Sequence, residues 1–168
     1  TQGTSDSNEI WLDVTVRDGD RVIGRSGGQQ ADGGVDPWSH FVNVYMLDRE
    51  GNRVDRRNAE DIFVPLYNHQ IPPGAADVVH GRFTVPPDAT GSITVDVALQ
   101  YRKFDTAYMR YFQGEDFHGN DLPVMTMATD RVVFPLVGSA DAPPGEAPEV
   151  PEWQRWNDYG IGLFRKGD

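Results

Sequence analysis

The sequence predicts an all-β fold, an antiparallel β-sandwich of the immunoglobulin-like or fibronectin-like kind, followed by a C-terminal linker and a single helix. Short apolar stretches with a period of two recur along the chain and are separated by turn residues. Glycine and proline, at 18 and 12 copies, are frequent for a helical protein but suit many turns. A chain of 168 residues with 38% hydrophobic content can bury one core, so we expect one β-domain over residues 10–137.

Each predicted strand is a short apolar segment that ends at a turn. In the clearest of them, Ile93, Val95, Val97 and Leu99 alternate with more polar residues, as in a strand with one wet face. A nearly continuous apolar run at 41–47 predicts instead a strand covered on both faces. The predicted strands are 10–16, 21–23, 41–47, 61–67, 76–85, 92–101, 124–127 and 131–137.

The two ends of the chain differ from the β-domain. Residues 1–9 are polar and predict a flexible N-terminal segment, and residues 138–150 are rich in proline and predict a semi-rigid linker. Residues 151–168 predict an amphipathic helix that begins after Pro151.

The terminal helix resembles the first helix of a tetratricopeptide repeat. Trp156, Tyr159, Gly160 and Leu163 follow the spacing of that repeat, and Trp153 shares the same face. Gly160 and Gly162 each weaken a helix by roughly 1 kcal/mol, which close approach of a neighbouring helix would offset. We therefore expect this chain to be a piece of a longer polypeptide, with Trp153 and Trp156 at an interaction surface; packing of the helix on the β-domain is the alternative.

Charge and composition narrow the classes of partner. The net charge of −11 argues against nucleic acid and against anionic membrane surfaces, which both require clustered Lys and Arg. No apolar run is long enough for a transmembrane helix, so we expect no membrane insertion. Because the chain has no cysteine, it forms no disulfide and no zinc–thiolate site and attaches no c-type haem covalently.

Three groups of residues are candidate sites. Asp32, Asp36 and His40 lie in a Gly-rich acidic loop whose oxygens suit Ca²⁺, although the spacing differs from the EF-hand and turn formation also explains it. His69 precedes a rigid Pro-Pro turn; it is either a structural loop histidine or a ligand or proton relay at the haem edge of a partner.

The third group lies in the aromatic-rich segment 104–118, for which we predict irregular structure. Its members are Tyr108, Tyr111 and Phe112. They form either a small core that caps the sandwich or an exposed platform for a sugar ring or a protein partner.

Several segments, taken in their order over roughly residues 10–168, resemble the β-rich region of bacterial multihaem c-type cytochromes that continue into tetratricopeptide repeats. The resemblance implies an exported, non-catalytic module of an electron-transfer protein, located in the periplasm or outside the cell. Its partners would be the haem-bearing and helical-repeat parts of the same polypeptide, or another subunit. The segments that carry the resemblance are Ala31-Asp32-Gly33-Gly34-Val35-Asp36-Pro37-Trp38-Ser39-His40, Leu47-Asp48-Arg49-Glu50-Gly51-Asn52-Arg53, Ile71-Pro72-Pro73-Gly74-Ala75, Leu99-Gln100-Tyr101-Arg102-Lys103-Phe104 and Asp121-Leu122-Pro123-Val124.

We therefore predict a β-sandwich without enzymatic activity and without a cofactor of its own, acting in protein–protein assembly. The alternative is a carbohydrate- or calcium-binding module of the same fold, and a weaker one is a hydrolase, for which no Gly-x-Ser-x-Gly motif is present. The prediction depends on an apolar interior that carries no chemistry of its own.

Overall fold

The structure is a computed structural model that describes residues 7–137 and 147–166. Within these ranges the chain forms six strands, two α-helices and two single-turn 3-10 helices at Ala59–Asp61 and Gly114–Asp116. The main elements are β1 (Glu9–Asp18), β2 (Arg21–Ser26), β3 (Val44–Leu47), β4 (Val64–Asn68), β5 (Ser92–Arg102), α1 (Thr106–Gln113), β6 (Met125–Pro135) and α2 (Glu152–Lys166).

The strands form two antiparallel sheets, which confirms the β-rich prediction. Four strands are hydrogen-bonded in the order β2-β1-β5-β6, and β3 pairs with β4 in a two-stranded sheet. In the smaller sheet Tyr45 lies opposite Tyr67, and a register shift follows Tyr45. Strand β6 lies at one edge of the larger sheet, where its side chains are almost all exposed, among them Met125 and Phe134.

The chain divides into two compact units. The first contains the described residues up to Thr15, Arg25–Gln70 and Asp96–Asp130. The second contains Val16–Gly24, Ile71–Val95 and the described residues from Arg131 onward.

In the first unit, the start of β1 is fixed by a buried tryptophan. Trp11 is 1% exposed, and its indole Nε1 donates a hydrogen bond to the Gly27 carbonyl oxygen at 3.0 Å. Trp11 also forms an antiparallel bridge with Phe41. Gly27 has φ +81°, and a Cβ at this position would overlap the Leu12 carbonyl oxygen, so only glycine fits there.

In the second unit, α2 packs through the face opposite its tryptophans. Gly162 is buried, and a Cβ on it would lie 2.5 Å from Val78 Cγ2. The Arg165 guanidinium donates to the Ala76 carbonyl oxygen at 3.1 Å, next to this contact. Gly160, two residues earlier and on the tryptophan side, would place its Cβ more than 4 Å from any residue outside the helix in the described part of the chain. The missing Cβ of Gly162 therefore allows the helix to approach residues 77–78.

The structure differs from the sequence prediction at three places. Residues 76–85 form no strand, and the aromatic segment contains the helix α1 where irregular structure was predicted. The strands predicted at 124–127 and 131–137 are one continuous strand, β6.

The ends of the chain also differ in part. Ser7 and Glu9, which we placed in a flexible segment, are buried at 0% and 7% exposure, and Asp105 donates its backbone N–H to the Ser7 carbonyl oxygen. The helix predicted at 151–168 is present as α2. The rest of the flexible segment, 1–6, and most of the predicted linker, 138–146, lie outside the described residues.

Candidate functional site

The first unit contains a cavity of about 320 Å³ that is lined by ionisable and aromatic side chains together. A cavity with this lining was not predicted from the sequence. We call it the polar cavity and define it by six of its lining residues, Glu9, Asn43, Tyr45, Arg53, Tyr67 and Asp105.

Regular backbone elements position the walls of the polar cavity. Tyr45 on β3 and Tyr67 on β4 are cross-strand partners, and their ring centroids are 5.4 Å apart. Directly opposed residues of an antiparallel pair project from the same face of the sheet, so both rings reach the cavity. Asp105 is the N-cap of α1 and accepts a hydrogen bond from the Tyr108 N–H at 2.7 Å through Oδ1.

Glu9 contributes a carboxylate that is paired with a buried arginine. Arg102, at the end of β5, is 1% exposed, and its Nε and Nη2 both donate to Glu9 Oε2. Nη2 of the same guanidinium also lies 3.3 Å from the Thr106 hydroxyl. Burial raises the pKa of Glu9, although the Arg102 charge and hydrogen bonds lower it in part.

Asp105 is the second carboxylate of the polar cavity, and it too is paired with an arginine. Arg53 Nη2 donates to Asp105 Oδ2 at 3.2 Å, and the Arg53 guanidinium lies 4.9 Å from the centroid of the Tyr45 ring. Burial raises the pKa of Asp105, against the opposing effects of the Tyr108 N–H and of Arg53. Burial also raises the pKa of the Tyr67 phenol.

Asn43 supplies an acceptor that has no partner. The residue is 6% exposed, and its Oδ1 is buried without a hydrogen bond from any described residue. Leaving a buried acceptor unsatisfied costs about 1–3 kcal/mol, so a bound donor would stabilise this position.

His69 lies in a column of stacked rings beside the polar cavity. Its ring centroid is 4.4 Å from that of Tyr67 and 4.9 Å from that of His40. The His69 backbone N–H donates to the Asn43 carbonyl oxygen at 2.9 Å, and Nδ1 lies 3.2 Å from the Phe41 carbonyl oxygen. These contacts fix the ring and account for its position without any ligand.

The predicted calcium ligands Asp32, Asp36 and His40 are engaged in other contacts. Asp32 accepts from the Gly34 N–H at 2.9 Å and from Arg110 Nη2 at 3.0 Å. Asp36 accepts from the Trp38 N–H at 3.0 Å, and His40 stacks on His69. Over residues 7–137 and 147–166, no three His, Asp or Glu side chains are grouped so as to hold a metal ion. The calcium hypothesis therefore gains no support from this loop.

The aromatic residues Tyr108, Tyr111 and Phe112 all lie on α1. Tyr111 and Phe112 are 60% and 73% exposed, and Tyr108 is half-buried. Arginines cover part of this surface, since Arg56 lies 4.9 Å from the Tyr111 centroid and Arg57 lies 5.6 Å from that of Tyr108. These rings thus belong to a mixed aromatic and cationic surface.

A second exposed aromatic surface is on α2 in the second unit. Trp153, Trp156 and Phe164 are 72%, 64% and 85% exposed. We call these three residues, with Gly160 between them at helical spacing, the outer face of α2. Trp156 Nε1 donates to Glu152 Oε1 at 3.3 Å, which orients the indole along the helix.

The comparisons with known proteins identify no relative. No protein-family model, no curated protein and no solved structure matches the chain. Separately, none of the helices in the described part of the chain is long and apolar enough to cross a membrane.

The sequence interpretation found α2 and its tryptophans but missed the polar cavity. The two ion pairs of the polar cavity, Glu9 with Arg102 and Asp105 with Arg53, join residues that are 93 and 52 positions apart in the chain. The one local signal was the N-cap of α1, where Asp105 and Thr106 precede a stretch that ends at Gly114.

Proposed function

We propose that this chain is a non-catalytic β-sandwich module of a larger exported electron-transfer polypeptide, and that it acts in assembly. In this proposal α2 is the first helix of a helical repeat, and the second helix covers the outer face of α2. The β-sandwich itself is part of the proposal, supported by the two antiparallel sheets.

One observation carries the proposal, namely that the two glycines of α2 lie on opposite sides of the helix. Gly162 is in contact with Val78, whereas no atom of the described residues outside the helix lies within 4 Å of a Cβ placed on Gly160. A glycine in a helix costs roughly 1 kcal/mol relative to alanine. Packing explains the first glycine, and the approach of a further helix would explain the second.

The outer face of α2 is large enough to stabilise such a helix. Large aromatic side chains bury about 150–250 Å² each. Covering the exposed parts of Trp153, Trp156 and Phe164 would contribute on the order of 10 kcal/mol before the cost of ordering the partner is subtracted. A net gain of a few kcal/mol is therefore expected.

The first test is to determine the gene sequence on both sides of the part that encodes this chain. The proposal requires Cys-x-x-Cys-His haem-attachment motifs before Thr1 and a second repeat helix after Asp168. A complete reading frame that lacks either feature would reject it.

The second test extends the chain by about one repeat of 34 residues beyond Asp168. For a protein of this size, each kcal/mol of stabilisation raises Tm by about 2–4 °C, so an increase of roughly 5–10 °C is expected. Acrylamide quenching of tryptophan fluorescence should fall at the same time, because Trp153 and Trp156 become covered.

A matched variant makes this test specific for the outer face. Trp156→Ala should lower Tm clearly more in the extended chain than in the present one, where the indole is largely exposed. Equal effects in the two chains, or unchanged quenching on extension, would mean that α2 receives no further helix.

A further inference from the structure

The polar cavity is built as a formally neutral site. Each of its carboxylates has an arginine, Glu9 with Arg102 and Asp105 with Arg53. A charged ligand would lose part of its hydration and add a charge that this lining does not balance. The charge balance therefore favours an uncharged ligand.

The lining of the polar cavity also contains both hydrogen-bond donors and hydrogen-bond acceptors. Asn43 Oδ1 is an acceptor without a partner among the described residues, and both hydrogen bonds from Arg102 end on the same oxygen of Glu9, Oε2. Arg53 and Thr106 also line the cavity, and their side chains carry donors. Hydroxyl groups donate and accept together, so a ligand with several hydroxyls matches this lining best.

The aromatic walls fit the apolar side of such a ligand. Phe41, Tyr45 and Tyr67 line the cavity, and Arg53 lies against the Tyr45 ring. The π face of an aromatic ring carries partial negative charge and attracts the polarised C–H groups of a sugar ring. The volume of about 320 Å³ is near the lower end of the range for ligand sites, which suits one ring rather than a chain of them.

We propose that the polar cavity binds one uncharged polyhydroxylated ring, either a free monosaccharide or the terminal sugar of a glycan. This inference goes beyond the assembly role, because it concerns the first unit and does not involve α2.

The experiment is a binding screen on the whole chain, read by saturation-transfer NMR and by calorimetry. One arm uses free hexoses, pentoses and N-acetylhexosamines, and a second arm uses oligosaccharides that end in the same sugars. Binding in both arms indicates recognition of a terminal sugar, and binding in the first arm alone indicates a free monosaccharide; either supports the proposal. A third arm of choline, spermidine and inorganic phosphate tests charged ligands.

Two cavity variants and one control make the result specific. Asn43→Leu removes the unpartnered acceptor, and Ala107→Leu adds volume to the lining at the first turn of α1. Each should weaken sugar binding by roughly tenfold or more. Ala128→Leu, an equal change at an exposed position of β6, should leave binding unchanged.

Two-dimensional amide NMR spectra that remain dispersed show that each variant is folded. The proposal is overturned if no sugar binds at millimolar concentration, if the charged ligands bind more tightly than the sugars, or if folded cavity variants bind as the parent does. A failure here does not affect the extension experiment on α2, and the reverse also holds.

Discussion

Replacing each glycine of α2 by alanine in turn tests which face of the helix is packed and which is exposed. In Gly160→Ala the new methyl group meets no neighbour among residues 7–137 and 147–166, so the variant should gain about 1 kcal/mol from helix propensity. In Gly162→Ala the same gain is opposed, because the methyl group would lie 2.5 Å from Val78 Cγ2 and 3.1 Å from the Val78 backbone N.

The magnitude of the difference follows from this contact. The Val78 side chain can turn aside, but the backbone nitrogen cannot, so the helix must shift away from residues 77–78. Overpacking of this kind costs about 1–3 kcal/mol. Since the helix-propensity term is common to both variants, their stabilities should differ by the overpacking term alone, or roughly 5 °C in Tm.

Thermal melts followed by circular dichroism give the difference in Tm. Hydrogen exchange of the α2 amides reports the helix itself, in case it opens before the rest of the chain. Exchange should slow in Gly160→Ala and quicken in Gly162→Ala. If Gly162→Ala is as stable as Gly160→Ala and its amides are as well protected, then α2 does not pack through Gly162. The conclusion that its tryptophans face away from the second unit would then be wrong.

Three further changes test the first unit. Burial holds the pKa of Asp105 above its ordinary 3.8. At a pH between the unfolded and the folded pKa, the folded state therefore keeps a proton that the unfolded chain has lost. The free energy of unfolding falls as pH rises through this interval. Asp105→Asn, which can still cap the helix, should therefore gain in urea midpoint relative to the parent between pH 3 and pH 7; a constant difference would contradict the burial effect. Arg102→Met should lower the free energy of unfolding by about 3–5 kcal/mol by leaving Glu9 buried without its partner, and adding Glu9→Gln should restore part of the loss. Gly27→Ala should cost well over 1 kcal/mol, because it combines positive φ with overlap of a carbonyl oxygen. Gly51→Ala, with φ +84° and no described residue within 4 Å of the new methyl group, should cost only about 1 kcal/mol in the same urea titration.

The parts of the fold that the sequence predicts are those with a local periodic signal. In β5 the alternation of Ile93, Val95, Val97 and Leu99 is enough to identify the strand, and helical spacing of Trp153 and Trp156 identifies α2. Residues 76–85 resemble a strand in composition, yet a Cβ on Gly24 would overlap the ring of Phe83. That side chain packs against backbone from a distant part of the sequence, which periodicity does not reveal.

The polar cavity was hidden for a related reason. In the sequence, Glu9 is simply a polar residue before one strand, and Arg102 is simply a basic residue at the end of another. Only the pairing of β1 with β5 brings the two side chains together. Asp105 similarly looks like part of an irregular stretch until α1 begins at the next residue. Ion pairs between residues so far apart in the chain can be predicted only when the strand order is known, and alternation of apolar residues does not predict the strand order.

Strand β6 has a practical consequence for work with this protein. Its eleven residues lie at a sheet edge, and Met125, Met127, Val132 and Phe134 are exposed along it. An edge of this length is a template on which a second molecule can add a strand, and such additions lead to aggregation. Asp130 and Arg131, at its middle, place charge where an incoming strand would have to bury it. Replacing either of these two residues by an apolar one should therefore promote aggregation of concentrated samples.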